Sequence, residues 1–357
     1  MKSVITDRQS LITNLLPDIS VIVVTWNGRQ HLDTCLSAVA AQEGVSAETI
    51  VVDNASTDGT VEYLRSRFPR VRVVALDRNY GFAGGNNAGA REAHGRYLAF
   101  LNNDTAADPR WLRTLRAGLD EARGVALATS RIVYMHDPQI VDSAGDGLTR
   151  WGGAFKRHHG APARDATESR DVFGACGAAF IIPKAVFDDI GGFDADFFLS
   201  HEDVDLSYRA QLRGYRCRYV AESIVHHRGS ASIGRASRLA VFHGQRNLEW
   251  MYIQNTPLPL LVRTLPGHLL YNAAAAVHFT RQGLLGAFVS AKLAALAGLP
   301  RALRKRSLVQ RTRTAPARAI WEQLEPRWLA LKLREKRFDT AIAEHRAAVG
   351  RSEGGGA

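Results

Sequence analysis

Cysteine is scarce in this chain: three among 357 residues, Cys35, Cys176 and Cys217. They match neither a metal-ligand spacing nor a disulfide framework, so they read as reduced, structural thiols. Long hydrophobic runs are missing as well. The longest charge-free apolar piece, Thr264 to Thr280, is interrupted by Pro266, Gly267, His268, Asn272 and His278, and is too short and too polar to span a bilayer. Met1 to Leu16 mixes acids and polar residues into any apolar stretch, so a secretory leader is not expected and the cytoplasm is the expected compartment. Acid is absent between Arg301 and Arg318, where seven basic residues lie.

What remains is an ordinary folded composition, 46% hydrophobic and 23% charged, with a net charge of +11. That size holds one large domain or two smaller ones with ample core. The basic balance points to a polyanionic partner: a phosphorylated substrate, an anionic membrane face or nucleic acid. Basic residues here are not interleaved with aromatics in a nucleic-acid module, so no nucleic acid is expected. The apolar stretch Leu258 to Pro300, followed by the basic run, reads in two ways. Its helices either lie in a membrane interface with a polybasic anchor, or cap the core.

The first half alternates short β-branched runs with helical patterns. Ile19–Thr25, Thr49–Asp53, Val71–Leu76 and Tyr97–Leu101 are strand-like, with helices expected near Leu32–Ala40, Val61–Phe68 and Gly84–His94. Such alternation predicts an α/β fold with a doubly wound, mostly parallel sheet, whose ligands sit at the carboxyl ends of the strands. All four strands close on polar residues. These are Thr25-Trp26-Asn27-Gly28, Asp53-Asn54-Ala55-Ser56-Thr57-Asp58-Gly59, Asp77-Arg78-Asn79-Tyr80-Gly81-Phe82-Ala83-Gly84-Gly85-Asn86 and Asn102-Asn103-Asp104.

One such turn is turn chemistry, while four on one rim make a polar site. Asp53 suits the ring imide of uracil or thymine, Arg78 a phosphate, and Gly81 to Gly85 a close backbone approach to a bulky ligand. Asp104 suits a divalent cation bridging two phosphates, because magnesium and manganese prefer hard oxygen ligands. The glycines do not match G-x-G-x-x-G and follow the third strand instead of the first, which argues against a dinucleotide fingerprint.

Further on, Asp108 to Ala122 reads as a helix, Val125 to Tyr134 as a strand, and Met135 to Arg170 as a long polar loop facing an acceptor. His201-Glu202-Asp203-Val204-Asp205 crowds acids at a helix start, a favoured place for them on electrostatic grounds and a place for a general base. His226 and His227 follow a strand, where one imidazole would complete a cation site with Asp104.

Taken in order, Val23-Val-Thr-Trp-Asn27, Val52-Asp-Asn-Ala-Ser-Thr-Asp58, Asn79-Tyr-Gly-Phe-Ala-Gly-Gly-Asn-Asn87, Leu101-Asn-Asn-Asp-Thr105, Glu202-Asp203 with Arg209, and His226 resemble the family 2 glycosyltransferases of GT-A fold, within their rhamnosyltransferase-like group. The resemblance covers about residues 18 to 255. It implies a GT-A domain over 17–255 behind a flexible 1–16, an apolar and basic helical region over 256–318, and a C-terminal helix and tail over 319–357. It further implies a nucleotide-sugar site from Thr25, Asn27, Asp53, Asn54, Ser56, Asp58, Arg78, Asn79, Gly81, Phe82, Ala83, Gly85, Asn86, Asn102 and Asn103.

By the same resemblance Asp104 and His226 hold Mg2+ or Mn2+, Asp203 is the catalytic base with Glu202 beside it, and Trp151, Cys176, Gly177, His201 and Arg209 face the acceptor. The chain departs from the family's D-x-D element in having Asn102 at its first acid. Arg246-Asn247 also fits the family pattern, with no role assigned. The implied activity is inverting transfer of a sugar, with dTDP-rhamnose as the expected donor, to a glycan or polyprenyl-diphosphate-linked acceptor at the inner membrane face. Association with a second copy stays open. A sugar nucleotidyltransferase is the competing reading, although Thr25-Trp26-Asn27-Gly28 lacks the basic glycine-rich loop such enzymes use.

Overall fold

The computed structural model describes residues 17–229, 237–327, 329–331, 333 and 338. The expected flexible segment 1–16 and most of the C-terminal tail lie outside the described residues. From the first strand through the excursion the elements are, in order, β1 (Ile19–Thr25), α1 (Arg29–Ala40), β2 (Ala47–Asp53), α2 (Thr60–Arg67), β3 (Arg72–Ala75), α3 (Gly81–Glu92), β4 (Tyr97–Asn102), β5 (Thr105–Ala107), α4 (Trp111–Ala117), β6 (Val125–Tyr134), β7 (Val141–Ser143), β8 (Asp146–Leu148), β9 (Ala154–Lys156), β10 (Arg170–Val172), β11 (Ala179–Pro183) and α5 (Lys184–Asp189). Then follow α6 (Glu202–Leu212), β12 (Arg216–His227), α7 (Arg238–Asn255), α8 (Leu258–Arg281), α9 (Leu285–Ala297), α10 (Leu299–Arg311) and α11 (Ala317–Gln323).

The main sheet runs β10-β12-β6-β11-β4-β1-β2-β3, with β5 on β12 and β7 on β6. β1 to β4 pair in parallel, as expected from their separation by helices, whereas β11 inserts antiparallel between β4 and β6. Alternation along β1 splits the core into two layers. Val21 and Val23 pack with Leu32, Leu36, Leu64 and Trp111 on one face. Ile22 packs with Ala83, Ala90, Phe187 and Leu206 on the other. Burial on both faces explains why these strands are continuous apolar runs. A third cluster, including Phe197, Tyr208, Trp250, Met251 and Leu260, seats the C-terminal helices on α6.

Two expectations change here. The helix after Asp108-Pro109 is only Trp111–Ala117, because Gly118 ends it and β6 follows. Met135 to Arg170 is not an open loop: it builds β7, β8 and β9, and buries Val141, Asp142, Ser143, Ala144 and Leu148.

Candidate active site

Sheet register gathers the four polar strand ends. Thr25 pairs with Asp53, Asp53 with Ala75, and Val24 with Asn102, so all four close at one rim. β11 starts opposite Leu101, and Asn102 N–H donates to the Ala178 carbonyl at 2.9 Å. This brings Cys176 and Gly177 to the same rim.

Several rim residues hold the turns to each other. Asn27 Oδ1 accepts from Thr57 N–H at 2.8 Å, and Ser56 Oγ accepts from Asn27 N–H at 2.8 Å. Asp58 accepts from the backbone of Arg29 and Thr60, and Asn103 Nδ2 donates to Thr25 Oγ1 at 2.9 Å. Asn79 accepts from Gly81 N–H, while Asn54 clasps the same turn through the Gly81 carbonyl and Tyr80 N–H. Arg78 lies over the Tyr80 ring at 4.6 Å. Asp53 is different. Its Oδ2 accepts from Ser56 N–H at 3.0 Å, yet Oδ1 is buried with no hydrogen-bond partner among the described residues. A buried lone oxygen is costly unless something donates to it, which suits the imide N–H expected there.

The helix expected near Gly84–His94 begins earlier: Gly81 starts α3, and Ala83, Gly85 and Asn86 are buried under the sheet. Gly85 lies against Val24, and Phe82 packs edge-on against Phe193 at 5.7 Å. Absence of side chains here lets helix and strand approach; Ala83, Gly85 and Asn86 are buried and Phe82 is half-buried.

The histidine assignment also changes. His226 turns to Asp108, with Nε2 3.5 Å from Oδ1. His227 is the residue beside Asp104: its Nε2 lies 3.2 Å from Asp104 Oδ1, and its Nδ1 lies 2.7 Å from Asp142 Oδ2. Asp142 also accepts from Lys156 Nζ at 2.9 Å, and its carbonyl accepts from His159 Nδ1 at 2.8 Å. Asp104 and His227 are each 6% exposed and Asp142 is fully buried. Burial would lower the His227 pKa, but hydrogen bonds to both carboxylates push it up to about 9. Burial would raise both acids, yet His227 holds Asp104 below the usual range, and Lys156 with His227 holds Asp142 well below it. Charged His227 thus bridges two carboxylates.

Asp203 sits at the start of α6 with both oxygens held by backbone: Oδ2 accepts from Gly177 N–H and Oδ1 from Val204 N–H, each at 2.8 Å. Burial raises its pKa against those two bonds. Burial, then the neighbouring Asp203 charge, pushes Glu202 up to about 8, and its Oε2 has no hydrogen-bond partner among the described residues. Asp146, Cys176 and Asp203 each place a polar atom within 4.8 Å of the others. Burial keeps the Cys176 thiol protonated. Of the expected acceptor residues, Gly177 touches Asp203, His201 immediately precedes Glu202, and Trp151 packs with α8, its carbonyl accepting from His268 Nδ1 at 2.8 Å. Arg209 does not face an acceptor, since it is buried against Asp205 with Nε to Oδ2 at 2.9 Å and also donates to the Ile190 carbonyl.

Residues 20–191 match the family model described as Glycosyl transferase family 2. Over those residues the chain carries a family 2 glycosyltransferase domain. Succinoglycan biosynthesis protein ExoO of Rhizobium meliloti is 36% identical over 118 residues, 33% of this chain and 34% of ExoO. The match therefore spans about a third of that relative. N-acetylglucosaminyl-diphospho-decaprenol L-rhamnosyltransferase of Mycobacterium tuberculosis is 27% identical over 264 residues, 65% of this chain and 82% of that protein. Among solved structures, GalNAc-T7 crystallised with UDP, GalNAc and Mn2+ superposes with a TM-score of 0.53 at 18% identity, over 67% of this chain and 48% of that one. The shared architecture is the GT-A fold.

Sequence reasoning missed Asp142, Lys156 and His159 in this glycosyltransferase, all within the supposed loop. The one signal was Val141-Asp-Ser-Ala144, whose apolar flanks mark an acid carried into the core.

Proposed function

We propose that this glycosyltransferase moves a sugar, with inversion at the anomeric carbon, from a nucleoside-diphosphate donor to a hydroxyl of a glycan or lipid-linked saccharide in cell-envelope polysaccharide synthesis. The observation that carries the reading is Asp203, a half-buried carboxylate oriented by two backbone N–H groups at the rim where the parallel strands end. Asp203 takes the proton of the acceptor hydroxyl as its oxygen bonds to the anomeric carbon and the bond to the diphosphate breaks. Glu202, kept neutral by burial, holds a second proton close by without competing as an anion.

Asp104 and His227 fit a divalent cation. One supplies a hard oxygen and the other a nitrogen whose far side is anchored on a carboxylate, the usual support for a metal-ligating histidine. Mg2+ or Mn2+ bound there would supply charge neutralisation for the departing diphosphate. Asp53 Oδ1 supports a thymine or uracil base equally well. The rhamnosyltransferase relative favours rhamnose as the sugar, and with a thymine base at Asp53 the proposed donor is dTDP-rhamnose. A thermal-shift panel of dTDP-rhamnose, UDP-glucose, UDP-N-acetylglucosamine and GDP-mannose, each with and without Mg2+ or Mn2+, tests base, sugar and metal together. Metal-dependent stabilisation by a dTDP or UDP sugar is expected, and stabilisation by none of the four would overturn the reading.

The second part of the reading places α8 to α10 on the inner membrane surface. Their inner faces bury Leu260, His268, Phe288, Ala291 and Ala302, so they do cap the core. Their outer faces expose Leu258, Val262, Leu265 and Leu269 on α8, and Leu285, Val289, Leu293 and Leu296 on α9, spaced as single helical stripes. Trp250 to Trp321 contains no acid, and Arg263, Arg281, Arg304 and Arg311 are exposed along it. An open groove of about 450 Å³ lined by Leu258, Leu303, Arg306 and Arg311 pairs apolar with cationic surface. Among the described residues no helix is long and apolar enough to cross a membrane. A stripe of leucines flanked only by cations suits an anionic bilayer interface.

A further inference from the structure

The chain just before the catalytic acids is strained. Phe198, Ser200 and His201 have φ of 61°, 69° and 69°, left-handed values that non-glycine residues adopt only where the surroundings enforce them. The enforcement comes from α7. Asn247, fully buried, points its amide at this turn, and Nδ2 donates to the carbonyls of Phe197, Leu199 and Ser200, each at 2.8 Å. Arg246 supports it twice. Its Nε donates to Asn247 Oδ1 at 3.0 Å, which fixes the amide's orientation, and its Nη2 donates to the carbonyls of Asp196 and Phe197. The Arg246 guanidinium lies over the Trp250 ring at 4.3 Å.

The same turn touches both halves of the site. On one side the Phe198 carbonyl accepts from Phe82 N–H at 2.7 Å at the start of α3, where a side chain on Gly81 would run into it. On the other side the His201 carbonyl accepts from Asp205 N–H at 2.8 Å, the bond that opens α6 and sets the direction in which Glu202 and Asp203 leave the turn.

We propose that Asn247, oriented by Arg246, is the positioning residue for the catalytic carboxylates: its amide holds the Phe198–His201 turn in the strained form that aims Asp203 at the rim and keeps Glu202 dry. The inference rests on the reading of Asp203 as base. It gives a role to the Arg246-Asn247 pair, which lies on a different helix from every residue assigned to chemistry. Three carbonyls converging on one amide leave no acceptable substitute that lacks an N–H donor.

The test measures nucleoside-diphosphate release from the donor selected by the panel above, between pH 5 and 9.5, together with donor affinity and melting temperature. The variants are Asn247→Ala, Arg246→Met and Asp203→Asn. With the clamp removed, Asn247→Ala should lower kcat about 30-fold through misplacement of the base, while donor Kd stays within about threefold. Water admitted to Glu202 and Asp203 should return their ionisation toward ordinary carboxylate values and move the acid limb of the pH profile down by about one pH unit. Arg246→Met should shift both readouts in the same direction with a smaller loss, about fivefold. A purely structural role predicts a lower melting temperature with wild-type kcat and an unmoved acid limb, and that result overturns the proposal. Should Asn247→Ala fail to fold, Arg246→Met decides alone, and a wild-type acid limb in it overturns the clamp. Normal turnover by Asp203→Asn would instead show that the base is misassigned, a failure distinct from that of the clamp.

Discussion

Charged His227, held between Asp104 and Asp142, makes the stability of the metal-free protein depend on pH. Its folded pKa of about 9 stands above the ordinary 6.5. A raised folded pKa means stabilisation that is complete below 6.5 and lost as pH climbs through 9, and the span corresponds to about 3 kcal/mol. His227 is buried, so little solvent screening reduces that figure. Glu202 loses stability over a partly overlapping window, because its burial-raised pKa of about 8 penalises ionisation as pH rises from 4.5. The diagnostic is therefore a difference. Urea unfolding in EDTA, at half-unit steps from pH 5.5 to 10, is compared between wild type and His227→Gln. The wild-type advantage should shrink by about 3 kcal/mol between pH 6.5 and 9.5, while the Glu202 contribution cancels. A constant difference across that range would refute the ion-paired imidazolium. Repeating the series with Mn2+ should flatten the wild-type slope, since a cation held by Asp104 and His227 displaces the same proton.

Asp203→Asn keeps the side chain's shape and one of its two backbone hydrogen bonds but removes the base, and should cut turnover about 10²–10⁴-fold with donor affinity nearly unchanged in equilibrium binding. Asp142→Asn should weaken Mn2+ binding about 10–100-fold in a metal titration, although Asp142 is not itself a proposed ligand. Asp53→Asn replaces half of the lone acceptor's chemistry with a donor; donor Kd should rise about tenfold or more for uracil and thymine nucleotides. Leu269→Glu with Leu296→Glu, both on exposed stripes and outside the core, should abolish flotation with anionic phosphatidylglycerol vesicles and leave the melting temperature within about two degrees. Undiminished flotation would remove the membrane reading. Excising 258–318 would be a poorer test, because Leu260, Ala295 and Ala302 belong to the third core cluster.

Much of this was legible along the chain. The boundaries of β6 matched expectation, Val125–Tyr134, and those of β4 differed by one residue. Four polar turns following four apolar runs identified the rim, because parallel strands of similar length must end together. The errors share a cause. Gly81 to Gly85 has the small side chains that suit either a close approach to a ligand or a helix pressed against a sheet, and composition does not separate the two. Val24 and the Phe198 carbonyl decide it by approaching too closely for any side chain. Met135 to Arg170 is polar enough for a loop, yet Asp142 is buried because Lys156 and His227 arrive from distant elements to compensate it.

The histidines mark the division most sharply. Sequence alone determined that an acid ends β4, that acids open α6, and that an imidazole pair ends a later strand; local pattern carries each of these. Which imidazole meets Asp104 is a question of strand face, and β12 has a register irregularity between Val220 and Ile224 that resets its alternation against β6. Three extra residues on β12 there, an odd number, exchange the two faces, leaving His227 paired with Thr105 of β5 and turned inward. Packing of three strands, none adjacent to the others in the chain, made that choice.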